Sequence, residues 1–179
     1  ADGNIKNVGV VDSYFKGNNF VGGVCGRNAG TITNCYNAGN LTAIESSATI
    51  GGICGYNNGG TIANCYNTGT VTATGTVASV GGVCGCSTEL ILNCYNIGTV
   101  TAASSDADIS GICGYNFGPI KNCYYLADTE DENGGKTDAQ FVSGEVAYLL
   151  SQGCTVGEGE DAVTYSGSVW GQALGGNGD

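Results

Sequence analysis

One block of 29 to 30 residues is written four times in this chain, and such self-similarity constrains the architecture more than any single residue does. The copies open VGGVCGRN (21–28), IGGICGYN (50–57), VGGVCGCS (80–87) and ISGICGYN (109–116). Each is answered by TITNCYN (31–37), TIANCYN (61–67), LILNCYN (90–96) or PIKNCYY (119–125), and a third short run reads NLTA (40–43), TVTA (70–73) or TVTA (99–102). Every period therefore holds three short runs of β-branched or alternating character between Gly, Asn and Thr turns. That is a strand signature, without the 3.6 periodicity of a helix.

Three short strands cannot bury their own apolar face, whereas stacked copies can, with like residues about 4.8 Å apart in parallel ladders. The expected fold is all-β: a three-sided parallel β-solenoid of about four to five coils, right-handed as parallel crossovers are. Ile32 and Leu41 point into its bore, and the paired glycines allow close backbone approach. Asn34, Asn64, Asn93 and Asn122 turn a corner in the left-handed conformation, each bonding its own backbone. With that corner in place, Cys35 faces in and Tyr36 faces out. Residues 3–20 match half a coil, with Ile5 and Asn7 in register with Ile32 and Asn34 and Val8 in the cysteine column. The third coil departs from the others at CSTELIL (86–92), adding Cys86 and Glu89.

The repeat ends near residue 126, dividing the chain into a solenoid (1–126) and a C-terminal segment (127–179). In the second part Thr137 and Gln140 form a capping box, Gly144 splits two short helices and Gly153 stops the second. Phe141, Val142, Val146, Leu149 and Leu150 make their apolar face, and Trp170 stands in the tail. A solenoid end exposes unpaired strand edges, so a small helical or irregular cap is expected.

Eight of the ten cysteines fall into two files, Cys25/Cys54/Cys84/Cys113 and Cys35/Cys65/Cys94/Cys123. Buried free thiols and a disulfide framework both fit these structural ladders. Cys86 and Cys154 stand outside the files, either as a pair or as exposed thiols. The tyrosine file Tyr36/Tyr66/Tyr95/Tyr124, joined by Tyr56 and Tyr115, is the candidate ligand-binding strip, against the plainer reading of stacked rings that stabilise a sheet face.

The block is similar to the GLUG motif, a Gly-rich repeat of bacterial surface proteins that also occurs beside the peptidase domain of IgA-cleaving metallopeptidases. VGGVCG…GTITNCYNAG (21–39), IGGICG…GTIANCYNTG (50–69) and VGGVCG…LNCYNIG (80–98) carry the resemblance, which covers about residues 3–126. It implies an extracellular, cell-surface or secreted bacterial setting and a passive β-solenoid module. Peptidase activity is not implied, because HExxH has no counterpart and histidine is absent.

Sixteen acidic residues against five basic ones give a net charge of −11, which disfavours nucleic acid and anionic membrane as partners. No run is apolar enough to insert in a membrane. The missing initiator Met reads as a segment of a longer protein. Without histidine the Ser-His-Asp and Cys-His routes are closed, and no nucleotide-binding sequence is present. Carboxylate catalysis would fall to Asp106, Asp108, Glu45 or Glu89, which form no evident pair. The Cys84-Gly-Cys86 thiols lack tetrahedral clustering, and Asp128/Glu130/Asp131/Glu132 fit no EF-hand. The expectation is a non-enzymatic surface module without cofactor or metal, a spacer or adhesive segment contacting host protein or carbohydrate and the remaining domains of its parent. The alternative is the non-catalytic flank of a surface hydrolase.

Overall fold

The computed structural model describes residues 3–159 and 162–165. The chain winds into a β-solenoid whose coils stack in parallel and in register. The second coil shows the plan, with strands Thr49–Gly51, Cys54–Asn57, Thr61–Ala63, Tyr66–Asn67 and Val71–Ala73. Each pairs with its equivalent in the coils before and after, so that Ile62 faces Ile32 and Ile91, Tyr66 faces Tyr36 and Tyr95, and Cys54 faces Cys25 and Cys84. Five parallel ladders result, where three strand runs per period were expected. Two of the runs are each bent once, one at Gly52-Ile53 and one at Asn64-Cys65.

The second bend has a clear cause. Asn7, Asn34, Asn64, Asn93 and Asn122 hold φ between 51° and 57°, the left-handed region that Asn tolerates. This turn reverses the inward phase, which buries both Ile32 and Cys35 although they lie an odd number of residues apart. The expected bond from each Asn to its own backbone is corrected by the structure. Each amide instead donates to the Asn one rung below, from Asn34 to Asn7 (3.3 Å), Asn64 to Asn34 (3.3 Å), Asn93 to Asn64 (3.2 Å) and Asn122 to Asn93 (2.8 Å). Stacking at a fixed column puts a like amide within hydrogen-bond reach.

The core is divided in two. One cluster joins Ile32, Ile53, Ile62, Val83, Ile91 and Ile112 to both cysteine files, while the other holds Val21, Leu41, Ile50, Val71, Val80 and small alanines. At the waist between them a Cβ on Gly23 would stand 2.7 Å from the Asn37 amide and 2.6 Å from the Gly52 carbonyl. The glycines are there for space, as expected, since the two sides of the coil touch.

The N-terminal stretch forms the predicted partial coil, with Ile5 opposite Ile32, Gly9 opposite Tyr36 and Phe15 opposite Leu41. Val8 thus lies beside Cys35, but as an end rung it stays 38% exposed.

Beyond residue 126 the strand Gly135–Lys136 adds one further rung to Tyr124–Leu126. Helices α1 (Asp138–Val142) and α2 (Glu145–Ser151) follow, with the Thr137/Gln140 capping box in place and Gly144 at φ 84° between them. Gly153, at φ 69°, ends α2. Val146 and Leu150 are buried, Phe141 and Leu149 half-buried, while Val142 is 72% exposed and leaves the expected apolar face. Five residues make barely more than one turn of α1, so Val142 rotates away from the side that packs.

A hairpin of Cys154–Val156 and Val163–Tyr165 lies against the rod's flank, over Leu90, Leu92 and Ala63. The third coil's departure is thereby explained: Leu90 and Leu92 replace Thr61 and Ala63 of the preceding coil where the tail covers them. Trp170 lies outside the described residues.

Candidate functional site

Tyr36, Tyr66, Tyr95 and Tyr124 occupy one ladder and face outward, each half-buried. The rings of Tyr36 and Tyr66 stack at 5.0 Å with 6° between planes, and those of Tyr66 and Tyr95 at 5.0 Å with 4°. Their spacing is the strand spacing, because in-register parallel strands impose it. Since the faces lie against one another, the row shows ring edges and hydroxyls outward. The Tyr36 ring covers Gly9 at the N-terminal end. At the other end Phe141 of α1 packs 6.2 Å from Tyr95, and Lys136 stands 6.0 Å from the Tyr124 ring. The Tyr124 hydroxyl donates to Asn122 Oδ1 at 2.9 Å.

Burial acts on three of these phenols. It pushes Tyr95 up to about 12, with the neighbouring Tyr66 adding to the shift, and raises Tyr66 and Tyr124 as well. The row offers a line of phenol hydroxyls, able to donate and accept.

Tyr56 and Tyr115 do not join that row. They sit in a different ladder, in the column Arg27/Tyr56/Cys86/Tyr115, two rungs apart with Cys86 between them. Tyr56 stacks on Phe20 at 5.5 Å, with the Arg27 guanidinium 5.8 Å from its ring. Tyr115 meets Phe117 edge-on at 4.8 Å. The six tyrosines thus make one continuous strip and two separate aromatic pairs.

All ten thiols are free, so the structure settles the alternative between thiol and disulfide. Cys35, Cys65, Cys94 and Cys123 donate to carbonyls two residues earlier, at 3.1–3.2 Å. Cys25, Cys84 and Cys113 donate to carbonyls two residues later, at 2.9–3.5 Å. Burial pushes the Cys84 and Cys94 thiols well up, so they pack as small neutral groups. Cys86 is buried in its strand, while Cys154 sits half-buried in the tail hairpin, its sulfur 4.0 Å from Asn93 Oδ1.

The carboxylates are dispersed. Asp106, Asp108, Glu45 and Glu89 are each exposed. In the connector Asp131 accepts from the Tyr125 hydroxyl and from the Asn133 and Gly135 amides, which hold it below the usual carboxylate range. Glu130 pairs with Lys136. Among the described residues no three His, Cys, Asp or Glu side chains converge as metal ligands.

Sequence reasoning missed a second asparagine file. Asn37, Asn67 and Asn96 are buried, and each amide donates to a glycine carbonyl two residues on (2.8–3.0 Å). The rungs are also cross-linked, from Asn37 to Asn67 and from Asn67 to Asn96, at 2.8 Å each. In another corner Asn28 donates to the Gly30 carbonyl and to Asn57, and Asn57 to the Gly60 carbonyl three residues on and to Ser87 of the next rung. The signal was the recurring Asn-x-Gly of YNAG, YNTG and YNIG.

In-register coils, cysteine and asparagine columns and a ringed outer face together define a parallel β-solenoid repeat. Residues 46–72 match the family model of the GLUG motif. That span runs from just before Thr49–Gly51 into Val71–Ala73, so one motif corresponds to one coil. Neither the curated proteins nor the solved structures give a match. No helix among the described residues is long and apolar enough to cross a membrane.

Proposed function

We propose that this chain is a non-enzymatic β-solenoid module of a larger extracellular bacterial protein, a stiff spacer that also contacts a host protein or glycan. The carrying observation is the tyrosine row, in which Tyr36, Tyr66 and Tyr95 stack on an outward face with ring centroids 5.0 Å apart and so repeat one hydroxyl from coil to coil. A rod whose coils are joined by five ladders transmits position along its axis, and the repeated hydroxyls supply equally spaced polar contacts. Because the ring faces are taken up within the stack, the ligand is met by hydroxyls and ring edges rather than by stacking. A glycan and host-protein array probed with the chain tests this. Binding should fall at least about tenfold on Tyr36→Phe/Tyr66→Phe, which keeps the rings and removes two charge-neutral hydrogen bonds. A silent array, or binding indifferent to that double change, leaves the spacer role alone.

A further inference from the structure

Among the described residues the rod's C-terminal end is only partly covered. The ladder ending in Tyr124–Leu126 gains the extra rung Gly135–Lys136, whereas the ladders ending in Val100–Ala102 and Asp108–Ser110 have no further strand among the described residues. Between those two bare edges and the start of α1 lies a cleft of about 770 Å³, within the range of natural ligand sites. Its apolar lining includes Val100, Ile97, Ile109 and Leu126, the last three being 41%, 51% and 41% exposed. Asp128 and Asp138 stand on its rim.

The coils below show what this space is shaped to hold. Leu41 donates its amide to Thr70 and Val71 donates to Thr99, both at 2.8 Å, so this position bonds the coil that follows. In the fourth coil the same position is Val100, paired with Val71 and lining the cleft, so the pattern of the coils below would turn its amide away from Val71. Side chains of the missing rung would continue the inward columns Leu41/Val71/Val100 and Ala43/Ala73/Ala102. An occupant therefore needs extended backbone, an aliphatic residue, a polar one and then a small one. Two rim carboxylates on a chain of net charge −11 add a preference for flanking cations.

We propose that this cleft is a strand-addition site that takes an extended basic peptide segment of aliphatic–polar–small pattern as one more rung of the Val100–Ala102 ladder. Main-chain hydrogen bonds supply the affinity in this mode, and alternate side chains supply selectivity. The proposal is independent of the tyrosine row, which lies on the flank.

The test uses the full chain and a fluorescein-labelled peptide KTVTAK, whose TVTA is that of residues 70–73, followed by anisotropy at low salt. Saturable binding is expected, weakened at least about tenfold by Ile109→Lys and by Asp128→Lys, and abolished in the peptide KTVPAK, whose proline stands where the amide would donate to the Val100 carbonyl. Ile109 and Asp128 are both exposed, and an unchanged melting curve confirms that the variants fold. Absence of saturable binding overturns the site, and equal binding by KTVPAK refutes strand addition and leaves charge attraction alone. Binding that Ile109→Lys leaves intact moves it elsewhere, including to the bare N-terminal edge. Sedimentation showing a dimer that Ile109→Lys dissociates would make a second copy of the chain the occupant and refute the peptide partner.

Discussion

Ile50 and Ile109 occupy the same column of the same repeat, yet one is 0% and the other 51% exposed. The same contrast closes the other end, where Phe15 is 39% exposed and Leu41, directly above it, 1%. The difference is made by position in the stack, because a rung is buried by its neighbours and an end rung has only one. A solenoid therefore carries a stability gradient that its repeating sequence does not display, with a hard middle and soft ends. Among the described residues the C-terminal segment relieves this at one ladder and one flank, and covers no other ladder of that end.

The largest expected effect tests this gradient directly. Ile50→Ala removes buried atoms between two filled rungs and should cost about 2–5 kcal/mol. The same change at Ile109 should cost about 0.5 kcal/mol or less, as at an ordinary surface position. Urea unfolding of both variants gives the comparison. Equal losses would break it and would mean that something covers Ile109 in solution.

A smaller effect follows from the polar columns. Asn57 is fully buried, accepts from Asn28 at 2.8 Å, and donates to the Gly60 carbonyl at 2.8 Å and to Ser87 at 3.0 Å. Asn57→Ala strands those partners in the interior and should cost about 1–3 kcal/mol. Asn116 ends the same column, exposed, and bonds only within its own turn to Gly118. Its replacement by Ala should cost about 0.5 kcal/mol, because water can serve the freed groups. A cost at Asn116 matching that at Asn57 would show that the turn, rather than the ladder, is the source of the stability.

Much of this was legible from the repeat. Period, strand runs, parallel register, the left-handed corner at Asn34 and the inward turn of Cys35 all follow from columns that recur four times. The capping box at Thr137 and the break at Gly144 were equally plain, since both rest on local backbone chemistry. What the columns did not disclose was contact across the bore and across the chain. That Gly23 meets Asn37 at the waist depends on how tightly the coil closes, and no single column carries that distance. Tyr56 looked like a member of the tyrosine strip because both are outward aromatics, yet they belong to ladders set by bends within the runs. The hairpin over Leu92 was marked only by the third coil's departure at residues 86–92, which gives no sign of what covers it.

The smallest perturbation reads the gradient without altering stability at all. Cys25 and Cys84 share a file, but Cys25 is the end rung and half-buried, whereas Cys84 is sealed at 0%. A thiol reagent must reach the sulfur and find it ionised, and Cys84 offers neither condition in the folded rod, since burial raises its pKa. Its reaction must wait for the coils to part, and its rate reports the opening free energy of the middle. Cys25 is itself raised, first by the adjoining Cys54 thiol and then by burial, so it reacts slowly for an accessible thiol. It still needs only fraying of a terminal rung. Alkylation of the native chain followed by peptide mapping should label Cys25 and Cys154 first, the second because it lies half-buried in the tail hairpin. Cys54, Cys65, Cys84 and Cys94 should label only as denaturant unfolds the rod. Labelling of Cys84 at the rate of Cys25 would mean that the rod opens as readily at its centre as at its ends, and the gradient would be gone.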